Sequence, residues 1–226
     1  MRFRSLALTL VLTTLGWSAA AQDTLQFGSL RVPMQVFVGM DKGFFAEEGI
    51  ALESVFFRSG SEIAPAVATG QVDVAVTSSG AALFNAMARG AGFTIVAEGL
   101  TIEPDAPGGD PTALVVRAGS GIETGADLAG RTIAVTAPGQ ILDMIVNEYL
   151  RQSGLDREQV STVAMPAPDM VPALTNGAID AAIMLEPFLS MVVEAGSGSV
   201  LVRASEVMPG TSQAFVVFAD RMMQDP

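Results

Sequence analysis

The stretch ALTNGAIDAAIMLEPF, residues 173–188, decides the fold class of this 226-residue chain. It opens with a helical pattern that ends at Gly177, a residue type that commonly follows the last turn of a helix. A short apolar strand then follows Asp180. The earlier stretch AVATGQVDVAVTSSG, residues 66–80, has the same order of helix, stop and strand. The chain therefore contains a repeated unit, in which Gly70 matches Gly177 and Asp73 matches Asp180.

Short apolar strands alternate with helical segments along the rest of the chain. Strands are predicted over residues 24–30, 50–57, 71–77, 93–100, 112–119, 132–136, 160–165, 178–185, 200–205 and 213–220. This alternation is typical of βαβ units and a mostly parallel sheet. The repeat predicts two such sheets, and hence an α/β fold with two similar lobes joined by strand-like crossovers. Residues 101–111 are predicted as a linker or surface loop, and residues 166–170 as a turn before a helix over 171–176.

The N-terminus has the pattern of a cleavable signal peptide over residues 1–21. Arg2 and Arg4 precede an apolar run over 5–17, and Ala19 and Ala21 form a small-residue cleavage motif. An uncleaved membrane anchor is the alternative, but the run is shorter than the ~20 residues that a spanning helix needs. The sequence therefore predicts an exported protein. Because the chain has no Cys, a lipid anchor and disulfide bonds are excluded.

The composition removes most catalytic chemistry. The chain has no His and no Cys, and Lys42 is its single lysine. A Ser-His-Asp triad, a thiol nucleophile and most zinc sites therefore cannot be built. We expect no enzyme activity, no cofactor and no metal. The net charge of −12, which becomes more negative when the signal peptide is removed, argues against nucleic acid and anionic membrane surfaces as partners.

The candidate site consists of residues that directly follow the predicted strands. In open α/β sheets, ligands bind beyond the carboxyl ends of the strands, where the following helices present free N–H groups. Serines and glycines at these positions offer hydroxyl groups, backbone N–H groups and close approach, although a Ser there is also a common helix N-cap. The predicted ligand-binding residues are Pro33, Met34, Ser59, Gly60, Ser61, Ser78 and Ser79 in the first lobe, and Pro138, Gly139, Gln140 and Glu186 in the second.

Glu186 has several possible roles. A carboxylate at the end of an apolar strand could pair with a ligand amine, or with Arg58 or Arg131. It could equally cap the helix that begins at Pro187. Asp73 and Asp180 are expected at strand starts, at the end of each sheet away from the site, where a structural role is the simpler interpretation.

Four segments of the chain resemble a known family. GMDKGFFAEEGIALE, SGSEIAPAVATGQVDVAVTSSG, DLAGRTIAVTAPG and VPALTNGAIDAAIMLEPF are similar to periplasmic substrate-binding proteins of ABC importers for nitrate, sulfonates, taurine and thiamine-pyrimidine precursors. The resemblance implies a two-lobed type II periplasmic-binding-protein fold that closes on a ligand about a hinge. It places residues 22–112 and 201–226 in lobe 1 and residues 113–200 in lobe 2. It also implies further helices beyond residue 226.

The resemblance leaves the ligand open. Ser and Gly turns at helix N-termini favour an anion such as a sulfonate, Glu186 would suit an amine, and a taurine-type zwitterion would use both. The single Trp lies in the signal peptide, which weakens the case for a stacked aromatic ligand. We expect a periplasmic monomer that delivers a small molecule to an ABC permease. A non-transporting sensor of the same fold is the alternative, and a pyrimidine-precursor synthase of this shape would need the His and Cys that the chain lacks.

Overall fold

A computed structural model describes residues 23–31, 35–105 and 109–223 of the chain. They form two five-stranded sheets, and we call each sheet with its helices a lobe. The first lobe contains β1 (Asp23–Leu30), α1 (Gln35–Lys42), α2 (Phe44–Glu47), β2 (Ile50–Phe57), α3 (Gly60–Ala68), β3 (Val74–Ser78), α4 (Ala81–Ala88), β4 (Phe93–Ile102) and the late strand β10 (Thr211–Ala219). The second lobe contains β5 (Thr112–Arg117), β6 (Thr132–Val135), α5 (Ile141–Gln152), β7 (Ser161–Ala164), α6 (Ala167–Thr175), β8 (Ala181–Leu185), α7 (Phe188–Glu194), β9 (Gly198–Arg203) and α8 (Ala204–Val207).

The two sheets share one topology. Their strand orders are β2-β1-β3-β10-β4 and β7-β6-β8-β5-β9, so β10 in the first sheet corresponds to β5 in the second. Each of these two strands pairs antiparallel with both of its neighbours, whereas β1, β2 and β3 pair parallel, as do β6, β7 and β8. The predicted two-lobed α/β fold with mostly parallel sheets is therefore confirmed.

Two chain crossings connect the lobes, between β4 and β5 and between α8 and β10. Asp110, in the first crossing, is buried and accepts hydrogen bonds from the N–H groups of Thr112 (2.9 Å) and Ser205 (2.6 Å). Next to it, the buried side chains of Thr112 and Gln213 bond to each other, with the Gln213 amide N 2.9 Å from Thr112 Oγ1. The crossings are therefore held together by buried polar contacts as well as by the backbone.

Apolar side chains fill both faces of the second sheet. Leu114, Ile133 and Ile183 pack with Ile145 and Leu150 of α5 on one face, and all five are almost fully buried. A separate cluster that includes Met170, Leu174 and Leu189 covers the other face. Strands that are buried on both faces read as continuous apolar runs, as AAIM in β8 does. Each large side chain buried in this way contributes about 1.5–3 kcal/mol to folding.

The structure corrects three sequence expectations. Residues 167–170, predicted as part of a turn, form the first turn of α6, because a proline near a helix start loses no hydrogen bond. The predicted loop over 101–111 begins later, since β4 extends to Ile102. The predicted return to lobe 1 at Leu201 falls inside β9, which pairs with β5, so the chain rejoins the first sheet only at β10.

The predicted signal peptide, residues 1–21, lies outside the described residues. Within the described part of the chain, no helix combines the length and the apolar character needed to cross a membrane.

Candidate functional site

Three turns at the carboxyl ends of strands come together between the lobes. We call them the cleft turns: residues 59–61 after β2, residues 78–80 after β3, and residues 138–140 after β6. A cavity of about 210 Å³ lies against them. This volume is below the ~300–1,000 Å³ of sites for drug-sized ligands, so it suits a smaller molecule. The cavity is lined by Gly60, Ser61, Ala64, Pro65, Thr77, Ser78, Ser79, Gly80, Ala82, Leu83, Ala86, Arg89 and Gln140.

The 78–80 and 138–140 turns are joined by backbone hydrogen bonds across the lobes. Ala81 N–H donates to the Gly139 carbonyl oxygen at 3.2 Å, and Ile141 N–H donates to the Ser79 carbonyl oxygen at 2.9 Å. We call this pair of bonds the lobe-joining bridge. A Cβ on Gly80 would lie 2.8 Å from both Gln140 Cα and the Gly139 oxygen, and its φ of +153° is itself unfavourable for other residues. Only glycine at position 80 permits this approach.

Ser79 is held by β10 as well as by the bridge. Its N–H donates to the Gln213 carbonyl oxygen at 2.9 Å, and its hydroxyl group donates to the Ser212 carbonyl oxygen. Gln213 in turn pairs with Thr112 across the lobes. The hydroxyl proton of Ser79 is therefore used inside the protein, which leaves the hydroxyl oxygen as an acceptor.

Ser78 differs from Ser79. Its side chain lines the cavity and is half-buried, and among the described residues its hydroxyl group has no hydrogen-bond partner. Gly60 packs directly against it, because a Cβ at position 60 would lie 2.6 Å from Ser78 Oγ. The Thr77 hydroxyl group, at 3.1 Å from the Gly60 carbonyl oxygen, ties the same two turns together. Ser78 is therefore the predicted site residue with the freest hydroxyl group.

The 59–61 turn has its own hydrogen bonds. Ser59 Oγ and Ser61 Oγ are 2.8 Å apart, and the Glu62 carboxylate accepts a hydrogen bond from Arg58 N–H at 3.2 Å. Ser61 lines the cavity, whereas Ser59 does not. Glu62 places a negative charge in the first turn of α3 but does not line the cavity.

Helices α3, α4 and α5 all begin at the cleft turns. The bridge uses the first N–H groups of α4 and α5, those of Ala81 and Ile141. Within the described parts of the chain, the N–H groups of Ser61, Ala82 and Leu142 donate no hydrogen bond and stay free to bind a ligand. Free N–H groups and the partial positive charge of a helix N-terminus both favour an anion.

The remaining predicted site residues lie apart from the cavity or outside the description. Pro138 and Gly139 are exposed on the cleft turn but do not line the cavity. Pro33 and Met34 lie outside the described residues.

Glu186 also lies apart from the cavity. It caps α7, because its carboxylate accepts hydrogen bonds from the N–H group (3.0 Å) and the hydroxyl group (2.9 Å) of Ser190. The suggested pairing of Glu186 with Arg131 is wrong: Arg131 lies at the start of β6, at the opposite end of the sheet, against Asp180.

A family model described as NMT1/THI5 like matches residues 33–222, which is most of the chain. The chain belongs to the NMT1/THI5-like family. A search of the curated proteins found no significant match.

Solved structures share the fold of this NMT1/THI5-like protein. The alkanesulfonate-binding protein SsuA from Xanthomonas axonopodis pv. citri, bound to MOPS, aligns with a TM-score of 0.76 and 21% identity, over 90% of this chain and 68% of that chain. The aliphatic sulphonate binding protein SsuA from Escherichia coli gives 0.71 and 22%, over 88% and 66%. The periplasmic nitrate-binding protein NrtA from Synechocystis PCC 6803 gives 0.72 and 16%, over 88% and 56%. The chain thus spans about two thirds or less of their length, and the resemblance seen in the sequence is confirmed for family and fold.

Sequence reasoning missed the residues that support the cleft turns in this NMT1/THI5-like protein. Asp143 and Arg157 hold the 138–140 turn from behind, and Thr112 and Gln213 tie the two chain crossings to the 78–80 turn. The sequence does show an acidic residue, Asp143, in the first turn of α5. Acidic residues are favoured at helix starts in general, so this position alone does not indicate a role in the cleft. Nothing in the sequence pairs Thr112 with Gln213, because their contact depends on both crossings.

Proposed function

We propose that this protein captures a small anion or zwitterion of the sulfonate, taurine or nitrate type in the periplasm and delivers it to an ABC importer. The observation that carries the proposal is the cavity against the cleft turns, which the first lobe lines together with Gln140 of the second and where three helices begin. Solved structures of the same fold include proteins named for binding alkanesulfonate and nitrate. A binding role without catalysis also agrees with a chain that has no His and no Cys.

The donor groups at the cavity support an anionic group as the part of the ligand that is recognised. Ser61 and Ala82 contribute free N–H groups near the Ser78 hydroxyl group, and Gln140 contributes an amide from the other lobe. Sulfonate and nitrate oxygens accept hydrogen bonds from several donors at once, so one small oxyanion could occupy all of them. Arg89 is the cationic side chain among the described lining residues.

The lining favours an aliphatic or inorganic ligand over a pyrimidine. Among the described residues that line the cavity, none is aromatic, so a planar base would find no ring to stack on. Glu62, in the first turn of α3, does not line the cavity and so does not choose between a simple anion and a zwitterion. A small sulfonate, taurine or nitrate therefore fits the lining. A thiamine-pyrimidine precursor is the alternative that follows from the family resemblance alone.

The partner and the location belong to the same proposal. The signal-peptide pattern over residues 1–21 supports export, after which a monomer would present its closed, loaded lobes to a permease in the inner membrane. A sensor of the same fold would bind the same ligand but pass it to no permease. Uptake of labelled ligand that depends on this protein separates the two roles.

A thermal-melt screen tests the proposal. The purified chain is heated with taurine, short alkanesulfonates, nitrate, sulfate and a thiamine-type aminopyrimidine. A ligand at a hundred times its Kd stabilises the native state by about 2.7 kcal/mol. For a chain of this size, about 1 kcal/mol raises the midpoint by roughly 2–4 °C. We therefore expect a rise of several degrees with taurine or an alkanesulfonate, and a cooperative melt that no compound shifts would contradict the proposal.

A pair of serine variants ties the shift to the cavity. Ser78→Ala removes the free hydroxyl group that lines it and is expected to weaken binding about 10-fold, the cost of one hydrogen bond to a charged group. Ser199→Ala, at an exposed position in β9, is the matched control and should bind as the wild type does. Equal affinities for the two variants would place the ligand elsewhere.

A further inference from the structure

Asp143 occupies a buried position directly behind the 138–140 cleft turn. It is the third residue of α5 and is 5% exposed. Its Oδ2 accepts a hydrogen bond from Gly139 N–H at 2.9 Å, and its Oδ1 accepts one from the Arg157 guanidinium at 2.9 Å. The carboxylate therefore connects the cleft turn to the short 3-10 helix Arg157–Gln159.

Gly139 carries this connection into the other lobe. Its N–H is bound by Asp143, and its carbonyl oxygen accepts the hydrogen bond from Ala81 at the start of α4. Gly139 is exposed, and a Cβ built on it would meet nothing within 4 Å. Hydrogen bonds rather than packing therefore hold this residue, and the bond to Asp143 is the one that comes from its own lobe.

Arg157 pairs with the buried carboxylate and fixes its orientation. A hydrogen bond to an ionised carboxylate is about twice as strong as one to a neutral acceptor. An ionised carboxylate without a partner in a buried position is costly, so the guanidinium is needed for Asp143 to hold the turn. The ion pair has no part in the cavity wall, because neither residue lines it.

We propose that Asp143 is a positioning residue of the cleft, and that its ion pair with Arg157 fixes the lobe-joining bridge in the arrangement that shapes the cavity. The link to ligand affinity rests on the proposed function, whereas the link to the bridge does not. Asp143 acts on the ligand only through Gly139 and Ala81. Its removal should therefore loosen the bridge before it affects the rest of either lobe.

Asp169 provides a matched control in the same lobe. It is the third residue of α6, as Asp143 is the third residue of α5. It is exposed, and among the described residues its carboxylate accepts no hydrogen bond. Asp169→Ala thus removes an acidic residue from the same helix position without touching a cleft turn.

Amide hydrogen exchange of the purified chain without ligand tests the proposal. In Asp143→Ala we expect the amides of Ala81 and Gly139 to exchange about 10-fold faster or more, as the loss of a charge-assisted hydrogen bond predicts. The amide of Val115, in the centre of β5, should change much less. Asp169→Ala should leave all three amides at wild-type rates. Unchanged exchange at Ala81 in Asp143→Ala would overturn the proposal, and so would equal acceleration at all three positions.

Two further variants keep the test decisive if Asp143→Ala does not fold. Asp143→Asn retains an acceptor oxygen for Gly139 but gives up the ion pair, and Arg157→Gln removes the pair from the other side. Each is expected to accelerate exchange at Ala81 several-fold, and wild-type rates in both would overturn the role of the pair. Failure of all three variants to fold would also overturn it, since the pair would then hold the second lobe together. If no compound shifts the thermal melt, the hydrogen-exchange result still stands. If the exchange rates do not change, a positive ligand screen still stands.

Discussion

Asp73 and Asp180 occupy equivalent positions in the two lobes and make the same bonds. Asp73 Oδ2 accepts a hydrogen bond from Gln26 N–H at 2.7 Å, and Asp180 Oδ2 accepts one from Thr132 N–H at 3.0 Å. Each carboxylate thus holds the neighbouring parallel strand beside the amino end of its own strand, β3 or β8, opposite the cleft turns. The repeat in the sequence therefore preserves a strand clamp and not a pair of functional groups.

Replacement of Asp180 by Ala should destabilise the protein by about 1–3 kcal/mol. It leaves Thr132 N–H without an acceptor and leaves Arg117 and Arg131, each 3.7 Å from Asp180, facing each other without a counter-charge. Urea unfolding measures the loss. Asp180→Asn retains an acceptor and should lose less, and the exposed Asp169→Ala should stay within about 0.5 kcal/mol of the wild type. A loss below about 0.5 kcal/mol for Asp180→Ala would contradict the clamp.

The fold was predictable because its signals are local. Strand β2 was predicted with its observed bounds, since an apolar run lies between Gly49 and a polar turn. Gly70 and Gly177 ended their helices as expected, and both adopt positive φ, which glycine tolerates. The repeat then supplied the second sheet. The start of α6 was missed because prolines signal turns and helix starts alike.

The candidate site was only partly predictable. Strand ends identified Ser78, Ser79 and Gln140, because parallel strands bring their carboxyl ends to one edge of a sheet. The sequence could not show that Ser79 donates its hydroxyl proton to β10 while Ser78 keeps its hydroxyl group free. That difference depends on β10, which is distant from Ser79 in the sequence but pairs with β3 in the first sheet.

The contact between Thr112 and Gln213 at the chain crossings should contribute to stability. Thr112→Val keeps the shape of the side chain but removes the hydroxyl group that both accepts from and donates to the buried Gln213 amide. We expect a loss of about 1–3 kcal/mol in urea unfolding, because Gln213 is left buried and unpaired. Thr69→Val is the control, since that exposed hydroxyl group bonds only within its own helix. Equal losses for the two variants would show that the Thr112–Gln213 pair contributes no more to stability than an exposed hydroxyl group does.

Glu148 predicts a local pH dependence in α5. Hydrogen bonds from Arg151, and then from Gln152, lower the pKa of Glu148 from 4.5 to about 2. Its favourable contribution is therefore complete above about pH 4.5 and is lost as the pH falls toward 2. An NMR titration of the side chain should give a pKa near 2, and Arg151→Gln should raise that pKa toward 4.5. No change of the pKa in Arg151→Gln would contradict the assigned cause.

Replacement of Glu186 by Gln should weaken α7 rather than ligand binding. Both carboxylate oxygens serve Ser190, and Glu186 does not line the cavity. We expect a loss of about 1 kcal/mol or less in stability, as for a helix cap, and at most a two-fold change in affinity. Calorimetric titration with taurine and with an alkanesulfonate that has no amine measures the second quantity. A 10-fold loss with taurine alone would instead support the ligand contact that the sequence suggested.

Replacement of Gly80 by Ala should break the lobe-joining bridge. The added Cβ would lie 2.8 Å from Gln140 Cα and from the Gly139 oxygen, both of them backbone atoms that cannot rotate away. The lobes must then separate at this point, so the cavity opens and ligand affinity should fall by 10-fold or more. The thermal-melt shift with ligand and calorimetric titration both report the change.

Gly90→Ala separates the bridge from backbone strain at Gly80. Gly90 follows the other end of α4, has a φ of +75°, and a Cβ there meets nothing within 4 Å. It therefore carries a cost of positive φ, about 1–2 kcal/mol, without a clash between the lobes. We expect Gly90→Ala to lower the melting midpoint but to keep wild-type affinity, whereas Gly80→Ala loses affinity as well. Wild-type affinity in Gly80→Ala would mean that the ligand binds without the bridge, because the clash leaves no way to form it.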